Sequence, residues 1–419
     1  MLHKSIAEDE AGVSREKPMT EPGGGQSKAR LRRLHDVMAG HVELGGIPGL
    51  VALVWRRGEA HVEALGVQTL GAGAPMRRDT IFRIASMTKP IAAAAAMILV
   101  EECKLRIDDP VDRLLPELAN RRVLKRIDGP LDDTVPANRP ITLRDLLTLR
   151  FGLGAIMVFP SRYPIQKAME AAEVAPGPDF FRHSPDEFMK RLSTLPLACQ
   201  PGEKWLYHTG LDVLGVLVAR ACGQSLESFL GERIFGPLGM KDTGFYAPAD
   251  KVDRLATCYR LDHASGRLAV FDEARGGRFD SPPRFEAGGA GLVSTADDYL
   301  AFCQMMLGNG GYRAARILSR ASVELMTTDQ LTLEQKADND VFFHGSSGWG
   351  FGMAVTTRRD NLWTTPGGFG WAGGYGTSAY TDPKEALIGV LMTQRLMDSP
   401  EPPPVHRDFW TLAYGAIDD

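Results

Sequence analysis

The sequence reads as an α/β (α+β) chain: an antiparallel sheet built from both chain ends and flanked by helices, with an all-helical lobe inserted between its halves. Short apolar runs bounded by turn residues occur early, as GLVALVWRRG and EAHVEALGV at 49–67, and again late, as GWGFGMAVTT, GTSAYTDP and EALIGVLMTQ after residue 347. Between them, LRDLLTL, PDEFMKRLSTL, LDVLGVLVARACG and LESFLGERIFGPLGM carry helical periodicity. No internal repeat is present, so the two strand groups must meet across the insert to form one sheet. The expected division is a disordered polar tail at 1–27, a sheet domain from 28–107 and 300–419, and a mainly helical domain at 108–299. A ligand is expected in the cleft between the lobes.

The elements follow in order. The tail is polar and carries GGG at 23–25. A helix begins near Ala29, with Leu31, Leu34, Val37, Met38 and Val42 on one side and Arg30, Arg32 and Arg33 on a solvated face. The first two strands turn at Arg57-Gly58-Glu59. After Arg83 the pattern lengthens into a strongly apolar helix through Ile91, Ala92, Ala95, Met97, Ile98 and Val100. ADDYLAFCQMML forms another helix behind a cap at Ser294 or Thr295. PPPVHRDFWTLAYGAI closes the chain as a helix.

Composition excludes several functions. With 48 basic and 52 acidic residues the net charge is −4, so no bulk field favours nucleic acid or a membrane surface. The five cysteines show no C-x-x-C spacing and read as reduced apolar residues. The N-terminal stretch has no apolar h-region, and a cytoplasmic location is expected. G-x-S-x-G, H-E-x-x-H and Walker patterns are absent from the sequence. Gly368 to Gly373 matches G-x-G-x-x-G, but a loop precedes it and a strand follows, the wrong setting for a dinucleotide. The nine histidines lack ligand spacing, and His208 and His344 are expected as loop residues. Neither a metal nor a cofactor is expected.

What remains is Ser86 and Lys89, three residues apart and so neighbours on one helical face. At the helix N-terminus, backbone N–H groups favour developing negative charge on Ser86. Burial of Lys89 disfavours its charged form, which suits a lysine that serves a nucleophile. Spacing alone does not decide the matter, because Ser14 and Lys17 repeat it without an apolar helix behind them.

The surrounding segments do. IFRIASMTKPIAAAA resembles the nucleophile segment of the serine β-lactamase and penicillin-binding-protein superfamily. It is most similar to the class C β-lactamase-like branch containing the family VIII carboxylesterases. RPITLRDLLTL, PGEKWLYHTGLDVLG, IFGPLGMKDTGF, AGGAGLVSTADDYLAFCQMML and GGFGWAGGYGTSAYTDP follow in family order. The resemblance spans roughly residues 30–395 and implies a β-lactamase-like fold. It also implies catalysis by Ser86 as nucleophile with Lys89 and Tyr207 sharing acid/base work, and an oxyanion hole from the Ser86 and Gly374 N–H groups. Trp371, Gly373 and Thr209 are implied as substrate-binding. Thr209 stands where the family often has Asn and offers no two-ended amide. Trp371 stands in place of the β-lactamase lysine, which favours a neutral ester over an anionic lactam. Thr148–Gly152 departs from the family His-Thr-Ser-Gly and is expected as structural or pocket-lining. The Pro-punctuated loop 155–185 is expected to rim the cleft.

The function implied is a serine carboxylesterase acting on a small-molecule ester with a short to medium acyl chain. Transfer to another acceptor, lactam hydrolysis or D-amino-acid peptidase action would use the same acyl-enzyme. A non-enzymatic ligand-binding scaffold is the remaining alternative.

Overall fold

The computed structural model describes residues 24–71, 74–178 and 181–419. Helix α1 (Lys28–Glu43) precedes strands β1 (Gly49–Arg56) and β2 (Glu59–Gly66), which turn at Arg57 and Gly58. Helices α2 (Thr88–Glu101), α3 (Thr209–Cys222) and α4 (Ala296–Leu307) follow. The chain returns to the sheet as β3 (Ser347–Trp349), β4 (Ala354–Thr356), β5 (Phe369–Gly373), β6 (Thr377–Asp382) and β7 (Leu387–Thr393), then ends in α5 (Pro404–Gly415). The sheet order is β3-β4-β5-β6-β7-β1-β2, antiparallel throughout. The early and late parts of the chain join where β1 lies along β7, from Leu50 opposite Thr393 to Arg56 opposite Leu387.

Both faces of this central pair are covered, which explains their unbroken apolar runs. Leu50, Ala52 and Val54 point to α1 and α5, packing with Leu34, Met38, Phe409 and Trp410. Val51 and Leu53 belong to the larger core that includes the apolar residues of α2. Residues 88–99 of α2 are all buried, so this helix forms the centre of the molecule rather than a surface. Thr295 is the cap of α4, its Oγ accepting from Asp298 N at 3.2 Å.

Four expectations change. The expected loose tail lies mainly outside the described residues, but residues 24–27 are anchored. Arg56 Nη1 donates to Gly24 O at 2.9 Å and Gly25 O at 3.1 Å, and Ser27 N donates to Ala416 O at 2.8 Å. The insert is not purely helical, because Cys258–Asp262 and Arg267–Asp272 form a hairpin. Its turn is closed by the Asp262 carboxylate, which accepts from Ala264 N and Ser265 Oγ. GWGFGMAVTT breaks into β3 and β4 around Gly350–Met353. The glycine-rich 368–373 stretch is largely strand β5 itself.

Candidate active site

Ser86 lies in a single 3₁₀ turn, Ala85–Met87, that leads directly into α2. Ala85 holds φ at +44°, a conformation costly for a residue with a Cβ. Surrounding bonds enforce it. Ile84 N donates to Leu292 O, Leu292 N donates to Thr88 Oγ, and Tyr299 OH donates to Met87 O at 2.9 Å. Ser86 is thereby presented at a cavity wall while remaining only 7% exposed.

Lys89, one helical turn on, is fully buried. Its Nζ lies 2.9 Å from Ser86 Oγ, 2.6 Å from Gly289 O and 3.2 Å from His208 Nδ1. Burial lowers its pKa from the ordinary 10.5 to about 7, against the opposing charge of Asp212. Tyr207 also lines the cavity beside Ser86, and its ring centre is 4.6 Å from Lys89 Nζ. Burial pushes its phenol up to about 12, with its neighbours Ser86 and Trp371 pulling the other way. Near neutral pH the site therefore holds a lysine that can lose its proton beside a tyrosine that keeps its own.

The loop 148–155 supports Tyr207 from behind. Leu206 N donates to Leu149 O and Ala155 N donates to Tyr207 O, both at 2.8 Å. This gives Thr148–Gly152 a structural role; these residues do not line the cavity. Trp371, on β5, does line it, but its indole N–H donates to Tyr207 OH at 2.6 Å. The indole N–H is thus spent on the tyrosine, leaving the apolar indole face to the cavity. Trp349 meets that indole edge-on at 4.8 Å and 90°.

Two expected substrate-binding residues sit elsewhere. Thr209 opens α3 and is fully buried, and its Oγ has no hydrogen-bond partner among the described residues. It does not line the cavity, because the chain turns inward at the start of α3. Gly373 faces the Ser86 turn: a Cβ there would meet Ile84 O at 2.3 Å and Thr377 Oγ at 2.4 Å. Its lack of a side chain lets β5 close on the segment before Ser86, which is a packing role. Gly374, one residue on, reaches the cavity wall, and a Cβ there would meet nothing within 4 Å. The turn's backbone bonds, Gly376 N to Gly373 O and Met397 N to Gly374 O, leave the Gly374 N–H unused.

The cavity has a volume of about 580 Å³. Its wall is mainly apolar and aromatic, including Phe342, Trp371, Tyr375 and Tyr380. As expected, the 155–185 loop rims it, through Ala155, Met157, Phe159 and Pro176–Pro178. Tyr375 OH ties that rim down by donating to Pro178 O at 2.6 Å.

His208 is the residue that sequence reasoning missed. It is not a free loop histidine: it lines the cavity and contacts Lys89 on one side and Asp212 on the other, with Nε2 3.2 Å from Asp212 Oδ2. The i, i+4 spacing of His208 and Asp212 beside Tyr207 was the available signal.

Comparison with known proteins agrees with this geometry. The Beta-lactamase family model matches residues 34–408, and the chain belongs to that family. An uncharacterized Mycobacterium tuberculosis protein is 42% identical over 85% of this chain and 88% of its own. Esterase EstB of Burkholderia gladioli is 32% identical over 82% of this chain and 85% of its own. Among solved structures, EstCE1, described as a hydrolase with promiscuous acyltransferase activity, superposes with a TM-score of 0.78 at 26% identity. That match covers 94% of this chain and 99% of the other. The protein is thus a beta-lactamase-family hydrolase with the β-lactamase-like fold and esterase relatives.

Proposed function

We propose that the protein is a serine carboxylesterase that cleaves neutral esters of short to medium acyl chains through a Ser86 acyl-enzyme. The observation that carries this is the 2.9 Å contact between Ser86 Oγ and a lysine whose pKa is lowered to about 7, at the wall of an apolar cavity.

The two perturbed pKa values divide the labour. Neutral Lys89 takes the Ser86 proton as Oγ attacks the ester carbonyl carbon. The carbonyl π electrons move onto oxygen, where the N–H groups of Ser86 and Gly374 stabilise them. As the intermediate collapses, the C–O bond to the alcohol breaks and Tyr207 donates its proton to the departing oxygen. The Lys89 ammonium then returns its proton to the Tyr207 phenolate, so both groups are restored while Ser86 carries the acyl group. Water then attacks the acyl-enzyme in the reverse sense, restoring Ser86.

Trp371 supports an uncharged substrate, since it sets an indole face where a cation would hold a lactam carboxylate. Transfer to an added alcohol is the second reading. It is favoured by a cavity roomy enough for an acyl chain and an acceptor together, and by EstCE1's described activity.

The test is a panel of p-nitrophenyl esters of graded length, with and without an added alcohol, beside nitrocefin. Expected are ester turnover exceeding nitrocefin turnover, an acyl adduct on Ser86 by mass spectrometry, and loss of both in Ser86→Ala. Undiminished butyrate hydrolysis by Ser86→Ala would overturn the proposal.

A further inference from the structure

His208 occupies an unusual backbone position. Its φ of 81° and ψ of −71°, with Thr209 N bonded to Tyr207 O at 3.2 Å, define a γ-turn of the strained, positive-φ kind. A non-glycine residue is costly there, so its persistence between Tyr207 and α3 calls for a compensating contact. The side chain supplies two. Nδ1 meets Lys89 Nζ at 3.2 Å, and Nε2 lies 3.2 Å from Asp212 Oδ2. Asp212 is fully buried, and its other oxygen accepts from Gly289 N at 2.9 Å. Gly289 O is in turn a partner of Lys89. Asp212 thus lies against both groups that flank the lysine: its Oδ2 faces the imidazole as a charge contact, and its Oδ1 holds the residue that supplies the carbonyl.

The count of hydrogens at Nζ gives these contacts meaning. As an ammonium, Lys89 has three N–H bonds for three acceptors: Gly289 O, His208 Nδ1 and Ser86 Oγ. As an amine it keeps two N–H bonds and gains one lone pair. If Gly289 O and His208 Nδ1 hold the two hydrogens, the lone pair is left facing Ser86. Remove the imidazole acceptor and one N–H competes for Ser86 Oγ, turning the lone pair away.

Resting on the acyl-enzyme reading above, we propose that His208 is a positioning residue: a neutral imidazole, favoured as the Nε2–H tautomer by the carboxylate of Asp212 beside Nε2, that accepts an N–H from Lys89 and so aims the lysine lone pair at Ser86. An imidazolium would reverse the effect, presenting Nδ1–H to the lone pair itself. Burial and the Lys89 charge both lower the His208 pKa, which keeps the ring neutral where the lysine is active. Lys89 on α2, with Tyr207 and Asp212 from its own segment, are the titratable groups that face the ring.

The test measures the rate at which a fluorophosphonate labels Ser86 as a function of pH, with thermal melts as a control. His208→Leu removes the acceptor and is expected to slow labelling roughly 10- to 100-fold on its plateau. It should also move the acid limb to lower pH, since the ammonium loses a partner. His208→Asn keeps an acceptor close to the Nδ1 position and tolerates positive φ, so it should restore most of the rate. Asp212→Asn turns an N–H toward Nε2, forces the other tautomer, and should be slow like the leucine variant even if that variant does not fold. Parent-rate labelling by folded His208→Leu or by Asp212→Asn would overturn the proposal, as would an asparagine variant no faster than the leucine one. A parent protein that takes no label would overturn the acyl-enzyme reading with it, which separates the two failures.

Discussion

Replacing Lys89 with methionine should change how stability depends on pH, and the size of the change follows from the burial of one amine. The unfolded chain carries Lys89 with a pKa near 10.5, whereas the folded protein lowers it to about 7. Below pH 7 both states bind the proton, and folding bears the full cost of burying the charge. Between pH 7 and 10.5 only the unfolded state binds it, so stability rises with pH at about 1.4 kcal/mol per pH unit. Lys89→Met removes this dependence. The unpaired Gly289 carbonyl adds an offset that does not vary with pH. The stability of the parent relative to Lys89→Met should therefore increase by roughly 2 kcal/mol from pH 7 to pH 9, the slope being half its full value at pH 7 itself. Urea unfolding of both proteins at pH 7, 8 and 9 reads this directly. A difference that stays flat, or moves the other way, would refute a desolvated amine at this position. In the parent, kcat/KM should rise with the same proton loss near pH 7. No fall is expected up to about pH 10, since Tyr207 keeps its proton to about 12.

Other perturbations follow from particular contacts. Gly373→Ala should drive β5 off the Ser86 turn, lowering ester hydrolysis by roughly 100-fold, whereas Gly374→Ala should stay near parent activity because a Cβ there meets nothing. Parallel assays of the two variants check this. Trp371→Phe removes the 2.6 Å donor to Tyr207 and makes the phenol a weaker acid. Its kcat should fall by roughly 10-fold on alkyl esters, which need a protonated leaving group, and less on p-nitrophenyl esters. Asp272→Asn breaks the buried pair with Arg83, at 2.6 Å, three residues before Ser86. A loss of about 3–5 kcal/mol in urea unfolding is expected.

The sheet was legible because alternation and burial survive in the letters: Leu50, Ala52 and Val54 serve one layer and Val51 and Leu53 another. Ser86 and Lys89 were legible because an apolar helix lies behind them and a long ordered resemblance surrounds them, and Tyr207 because the same resemblance carries it. The hairpin at 258–272 was not, since four of its eleven strand residues are charged and its closure draws on the Asp262 side chain. Thr209 and Gly373 were misplaced for a related reason. A motif fixes which residues are neighbours in the chain, whereas the turn at His208 and the strand alternation in β5 decide which of them face the cavity. His208 escaped notice because its partner is 119 residues away, and only tertiary packing reveals that its ring nitrogen needs Lys89.

The pairing of β1 with β7 also bears on the order in which the protein is made. Ser86, Lys89 and the helix that carries them leave the ribosome early, but Trp371, Gly374 and the strand that closes the sheet lie nearly three hundred residues later. Until β5 arrives, Tyr207 lacks its indole partner and Gly374 is not yet part of the cavity wall that Ser86 lines. On the proposed mechanism, a nascent or prematurely released chain therefore carries Ser86 without the groups that would activate it. Hydrolytic competence belongs to the finished polypeptide, and an interrupted translation product would pass through the cell without it.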